Sequence, residues 1–412
     1  MRPWIVWGTG LLAYVVTVLD RTTFGVSGLD AAHRFDAGPS MLSTFVMVQL
    51  IVYSAMQIPA GLLLDRFGPR AMIAIGVTLL STAQLTVSLT HWLPMAVAAY
   101  GMVGMGDACV FISVIRLLPN WFDAQRVPLL TQLTGSIGQL GQFLSAVPFL
   151  AILLHRGWTA AYLSAAGLGL FAITLTLAAV RDSPGDSDNL LPHNTFRDAF
   201  DEVKAVWSRP GTELGFFTHM GTAFSGNVFT LMWGVPYLTT AQGFSVKAAG
   251  AELTLSVITF VVVGLLVGVF SARLPQYRAG VGLTTIALTA SIWTVVLALP
   301  HPAPHWLLAV LMVVISAGLP VSILAFDFAR AYNPPADLGT AQGTVNMGGF
   351  IATVVVMQTM GIVIAHSGGY SFTAFRLAWS VQYVVWAVAA AGMVIYARKA
   401  GSDRKSVTDA HP

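Results

Sequence analysis

Charge is what this chain has least of. Lys, Arg, Asp and Glu make up 9% of its 412 residues, against 56% hydrophobic residues and a mean hydropathy of +0.73. Soluble domains carry about 25% charged residues, so a water-soluble globule is excluded. Its single cysteine, Cys109, rules out an intrachain disulfide and any cysteine-based metal site. A formal net charge of +3, spread over scattered basic residues, is too small to argue for nucleic acid. No Gly-x-x-x-x-Gly-Lys-Ser/Thr run is present, which excludes a P-loop ATP-driven motor. No nucleophile–His–acid arrangement stands out either, so neither an enzyme nor a cofactor or metal site is expected. The N-terminal apolar run is too long for a signal peptide, carries Asp20 and Arg21, and lacks a convincing small-residue cleavage site.

What the chain does have is apolar length. Crossing a hydrocarbon core takes about 20 apolar residues per helix. Runs of that size lie near 4–28, 40–64, 71–90, 94–117, 128–154, 157–180, 212–238, 246–270, 279–299, 305–329, 338–365 and 373–397. The expected fold is therefore an all-α membrane protein with twelve transmembrane helices. Most connections are short. The exception is 181–211, where Ser-Pro-Gly-Asp-Ser-Asp is followed by Phe196–Trp207. There Phe196, Phe200, Val203 and Trp207 recur at helical spacing opposite Arg197, Asp198, Asp201 and Lys204, the pattern of a helix lying on a membrane surface. This linker divides an N-terminal six-helix bundle, 1–180, from a C-terminal one, 212–397, which is followed by a tail, 398–412.

Basic residues set the expected orientation. With the N-terminus inside, sixteen Lys and Arg fall on the cytoplasmic side, while Arg34, Arg156, Lys247 and Arg376 fall outside. Both termini are thus expected in the cytoplasm of an inner (plasma) membrane protein.

The two halves repeat. Gly61-Leu-Leu-Leu-Asp65-Arg66-Phe-Gly68-Pro-Arg70 is matched at an offset of 207 by Gly268-Val-Phe-Ser-Ala272-Arg273, with Ala272 in place of Asp65. Gln132-Leu-Thr-Gly-Ser-Ile-Gly138 parallels Gln342-Gly-Thr-Val-Asn-Met-Gly348 at an offset of 210. Duplication of this kind implies two pseudo-symmetric bundles around a central cavity. The Gly61–Arg70 segment resembles the loop signature between helices two and three of the major facilitator superfamily, and the resemblance covers essentially the whole chain. It implies that Asp65 latches against the start of helix eleven, near Asp337–Gly339, when the outside gate is open. Arg66 and Arg70 pin the same loop to the cytoplasmic side. Arg116 and Arg330, the latter with Asp327, read as further gate charges able to pair with Asp65, Asp123 or Asp337.

Two charges interrupt the first apolar run. A charge at the centre of a spanning helix costs about 2.5–3.5 kcal/mol on insertion scales, so such residues mark functional sites. Arg21 shares a helical face with Tyr14, Thr17, Gly25 and Gly28, and its planar fork suits a carboxylate. Burial favours a protonated Asp20, whereas the adjacent Arg21 opposes it; an anion bound at Arg21 would remove that opposition. A second acid, Asp107, sits between close-packing glycines in Gly104-Met-Gly106-Asp107. Asp-Arg in the first helix with an acid in the fourth resembles the anion:cation symporter branch of the superfamily. That resemblance implies that Arg21 contacts a substrate carboxylate and that Asp20 and Asp107 are protonation sites. Asp107 is one methylene shorter than the Glu common in carboxylate-transporting members. Tyr14 on the face of Arg21, and Tyr53, Asn227 and Asn346 on other helices, are candidate substrate contacts. His219 and Gln49 read as hydrogen-bonded structural residues.

The expected function is secondary transport, a proton-coupled (or sodium-coupled) uptake of a small organic anion by a monomer in the lipid bilayer. A proton antiporter exporting drugs or metabolites is one alternative; the 135–143 segment lacks the Gly-Pro-x-x-Gly-Gly of such antiporters, and the nitrate-porter signatures are not convincingly present. A non-transporting sensor on the same fold is the other.

Overall fold

The computed structural model describes residues 2–36, 39–184 and 196–409. Among the described residues there is no strand. A lipid core offers no water to backbone N–H and C=O groups, and an α-helix pairs them within one segment, so each apolar run folds as a rod.

Helix α1 spans Arg2–Phe35 and α2 spans Pro39–Leu89. The latter is two rods, because the backbone leaves helical geometry at Gly68 (φ 78°, ψ 163°), a conformation reserved for glycine. Helices α3 (Leu93–Trp121), α4 (Val127–Arg156) and α5 (Trp158–Ala179) follow. A short α6 (Phe196–Trp207) leads into α7 (Pro210–Val228), which continues through π-helical turns to Ala241. The remaining rods are α8 (Val246–Arg273), α9 (Arg278–Ala298), α10 (His305–Tyr332), α11 (Leu338–His366) and α12 (Phe372–Ala400).

Ten stretches among the described residues are long and apolar enough to cross a membrane, and one of them, Thr44–Leu89, holds both rods of α2. The α7 segment is not among the ten, since His219, Asn227 and many Gly, Ser and Thr residues make it more polar. With α2 counted as two rods and α7 added, the twelve spans expected from the apolar runs are present among the described residues.

The chain forms two compact units. The first comprises Met1–Val203 and Pro335–Gly343, and the second Lys204–Pro334 and Thr344–Pro412. The first residues of α11 thus belong with the N-terminal helices. Within the first unit, α3 packs closely on α2. A Cβ at Gly104 would collide with the Gln49 carbonyl oxygen, so only glycine allows that approach. Aromatic rings close the far end of this unit, with Phe24 stacked on Phe45 at 4.4 Å and Trp158 against Tyr162 at 4.4 Å.

Of the expected linker, residues 185–195 lie outside the described residues, as do the side chains of Phe196, Arg197 and Asp198. The apolar face differs from the one expected. Phe200 is exposed, whereas Val206 is fully buried and Trp207 packs edge-on against Phe216 at 5.0 Å. The end of α6 is anchored by its junction with α7, which turns Val206 inward. Of the expected tail, the helix runs on to Asp409; residues 410–412 and the side chains from 401 onward lie outside the described residues.

Candidate functional site

The polar centre of the first unit is assembled by glycine packing. The contact of Gly104 with the Gln49–Tyr53 turn brings α3 against α2, and one helical turn further along α3 comes Asp107. Its Oδ2 lies 3.3 Å from Nη1 of Arg21 on α1. The other carboxylate oxygen, Oδ1, is buried and accepts no hydrogen bond. The Asp107 side chain is 2% exposed and that of Arg21 20%. Tyr14, packed on Phe111 at 5.1 Å, and Tyr53 place their phenols within electrostatic reach of the same guanidinium. Gln49 Nε2 donates to the Arg21 carbonyl at 3.4 Å. Arg21, Asp107, Tyr14 and Tyr53 therefore form one cluster.

Asp20 does not join it. Successive helix residues point about 100° apart, so Asp20 faces the packed interior of the unit while Arg21 faces the cluster. Asp20 is fully buried, and neither of its carboxylate oxygens takes a hydrogen bond. Gln84 Nε2 donates instead to the Asp20 carbonyl, at 2.9 Å. The expectation of direct coupling between two adjacent side chains is corrected here: the ion partner of Arg21 is Asp107.

At the other end of the unit, Asp65 accepts from two backbone amides, Gly339 N to Oδ1 at 2.7 Å and Thr340 N to Oδ2 at 2.6 Å. Arg116 donates to the Pro335 carbonyl at 2.7 Å and to Asn120 Oδ1 at 3.2 Å. The Arg70 backbone N–H donates to Asp182 Oδ1 at 2.7 Å, just beyond the Gly68 turn, and Arg66 lies over the Phe67 ring. A loop signature, a polar cluster inside spanning helices and an all-α membrane architecture converge, and a family model of the Major Facilitator Superfamily matches residues 10–357. The chain belongs to that superfamily.

Relatives of this superfamily member are transporters rather than enzymes. It is 23% identical over 383 residues to the "Probable sulfoacetate transporter SauU" of Cupriavidus necator, covering 88% of this chain and 87% of that one. Against the "Probable galactarate/D-glucarate transporter GudP" of Escherichia coli K12 the identity is 21% over 406 residues, covering 90% and 88%. The fold is shared with solved structures. The proton:xylose symporter XylE matches with a TM-score of 0.70 at 15% identity, covering 96% of both chains. The human organic anion transporter MFSD10 matches with a TM-score of 0.70 at 13% identity, covering 95% of this chain and all of that one.

The transporter's second unit holds the other candidates. Asn227 Nδ2 donates to Thr353 Oγ1 at 3.4 Å, and Asn346 is buried. His219 Nδ1 accepts from the Gly349 amide at 3.1 Å, between the rings of Phe326 and Phe350. Arg330 pairs with Asp327, three residues before it on α10, at 2.7 Å, the acid named beside it in the sequence. Asp327 is also held by the Ser271 hydroxyl and by Arg278 on α9 at 3.6 Å, so this buried carboxylate is compensated by two guanidinium groups. Asp182, Gln84, Tyr100 and Tyr162 were not singled out from sequence. Each is a lone polar residue in or beside an apolar run, and nothing local names its partner.

Proposed function

We propose that this transporter is a proton-coupled symporter of the anion:cation type that imports a small organic anion by alternating access. The observation that carries the reading is the Arg21–Asp107 pair, a single 3.3 Å contact that leaves Asp107 Oδ1 without a partner. A substrate carboxylate can engage the Arg21 fork through two parallel hydrogen bonds, which is stronger than the one-point contact it replaces. Asp107 then becomes a buried carboxylate without its cation, and such a group neutralises by taking a proton. Binding of the anion thereby drives proton uptake. Tyr14 and Tyr53 orient the anion, Asn227 and Asn346 are further candidate substrate contacts, and Asp20 is a second proton site. The Asp65 cap and the Arg116 contact with Pro335 hold the start of α11 in one state of the cycle, supported by Arg66 and Arg70, while Arg330 with Asp327 serves the second unit. The protein works as a monomer in the plasma membrane with both termini in the cytoplasm.

Two protons entering with a monovalent anion move one net positive charge inward, a drive of about 2.3 kcal/mol per 100 mV. The relatives named for sulfoacetate and sugar-acid transport supply the first substrates to try. In proteoliposomes, sulfoacetate and D-glucarate, each a dianion at neutral pH, should enter with two protons without net charge, giving internal acidification and no current, while a monocarboxylate should add an inward current. These signals should be lost in Arg21→Ala and strongly weakened in Arg21→Lys. Anion flux with no accompanying current or pH change would overturn proton symport.

A hydrophobic drug cavity is not favoured. The large aromatic cluster of the second unit, in which Trp293 stacks on Trp379 at 4.5 Å beside Tyr237, is fully packed and leaves its rings no free face.

A further inference from the structure

The buried Asp20 carboxylate heads a polar stripe. Asp20, Thr23, Ser27, Asp30 and Arg34 recur three and four residues apart on α1, one face of a helix, over about 21 Å at 1.5 Å per residue. Asp20, Thr23 and Ser27 are fully buried, Asp30 is exposed and Arg34 is partly so. Two fully buried phenols from other helices link these positions. Thr23 Oγ1 is 3.2 Å from the Tyr100 hydroxyl on α3, Tyr100 is 3.3 Å from the Tyr162 hydroxyl on α5, and Tyr162 is 2.7 Å from Ser27 Oγ. Tyr100 is an electrostatic neighbour of Asp20, and Tyr162 of both Asp30 and Arg34. The hydroxyl chain thus begins beside a carboxylate with no hydrogen bond and ends beside an exposed acid.

We propose that Tyr100, Tyr162 and Ser27 form a proton path between Asp20 and the end of α1 that carries Asp30, with Tyr100 held by Thr23, whose own hydroxyl donates to the Asp20 carbonyl, and this rests on the reading of the protein as a proton symporter. Buried hydroxyls must find partners in any case, and mutual satisfaction alone would explain the contacts among them. It does not explain why they lead to a fully buried carboxylate whose oxygens accept no hydrogen bond and which has the Gln84 amide beside it. Each hydroxyl is both donor and acceptor, so it can pass its proton inward while accepting another from the outer side. At the close of one transfer every hydroxyl again holds one proton, Asp20 has changed from carboxylate to carboxylic acid, and solvent near Asp30 has lost one proton. Two links close by side-chain rotation, Tyr100 to Asp20 by the Asp20 carboxyl and solvent to Tyr162 by the exposed Asp30 carboxylate, which takes a proton from water and hands it to the chain. The charged groups facing the path are Asp107 near Asp20, Arg21 beside it in sequence, and Asp30 with Arg34 at Tyr162.

A path changes how fast a proton arrives and leaves the equilibrium untouched, whereas a structural role does the reverse. The test is a rapid pH drop on the purified full-length protein, followed by time-resolved infrared spectroscopy of the carboxylic-acid C=O band that vanishes in Asp20→Asn. In Tyr100→Phe and Tyr162→Phe the band should appear about tenfold more slowly or worse, with its midpoint pH and the melting temperature unchanged. Ser27→Ala should slow it as well. Equal rates in all variants would overturn the path while leaving Asp20 a proton site. A slowed rate accompanied by a shifted midpoint and a lowered melting temperature would also overturn it, assigning the hydroxyls to packing. Absence of any Asp20-dependent band would remove Asp20 as a proton site and the path with it. Should Tyr100→Phe fail to fold, Tyr162→Phe reads the same transfer with the Thr23–Tyr100 contact in place.

Discussion

Asp65 caps the start of α11 from 274 residues away in sequence, its two carboxylate oxygens accepting the Gly339 and Thr340 amides. The first amides of a helix have no partner within it, and they carry partial positive charge. A carboxylate there supplies both the acceptor and the charge. Removing it in Asp65→Ala should cost about 0.5–2 kcal/mol of local stability. Amide hydrogen exchange at Gly339 and Thr340 should therefore accelerate, less so in Asp65→Asn. Unchanged protection would mean that the cap contributes nothing.

Arg21 and Asp107 should show strong energetic coupling. Arg21→Ala strands a buried carboxylate, a loss of about 3–5 kcal/mol for a buried pair broken on one side. Adding Asp107→Asn should restore much of the melting temperature, because the double variant leaves no uncompensated charge. Additive losses would show that the 3.3 Å pair is not the partnership that burial requires.

The position of Asp107 depends on a glycine one turn earlier. In Gly104→Ala the new methyl meets backbone atoms of Gln49 and Tyr53, which cannot move aside as a side chain can. Overpacking of this kind costs about 1–3 kcal/mol, and it should also shift Asp107 relative to Arg21 and weaken anion binding. Gly8→Ala, with nothing within 4 Å of its new methyl, is the control and should leave both stability and binding unaltered. Equal behaviour of the two variants would refute the close-approach argument.

Orientation can be read with the chain's own chemistry. Cys109 is buried, so a membrane-impermeant maleimide should not label the native protein. In a Cys109→Ser background, Arg156→Cys should label in intact cells and Arg398→Cys only after permeabilisation, since both positions are exposed. The opposite pattern would invert the topology proposed from the basic residues.

How much was legible in advance varies with the range of the interaction. The spans and the Gly61–Arg70 turn can be read from residues, because burial of apolar length and the glycine requirement at Gly68 are local physics. Even the polar stripe of α1 can be read once helical spacing is applied to Asp20, Thr23, Ser27, Asp30 and Arg34. Partnership could not. Adjacency in sequence suggested that Asp20 and Arg21 act on each other, yet a helix points them about 100° apart and hands Arg21 to an acid 86 residues on. The exceptions are Arg330 with Asp327, three residues apart on one helix, and the Asp65 latch on Gly339, which the family resemblance implied and nothing local could have named. Apolar patterning determines that a segment is buried; only the packing of one helix against the next decides what a buried charge meets there.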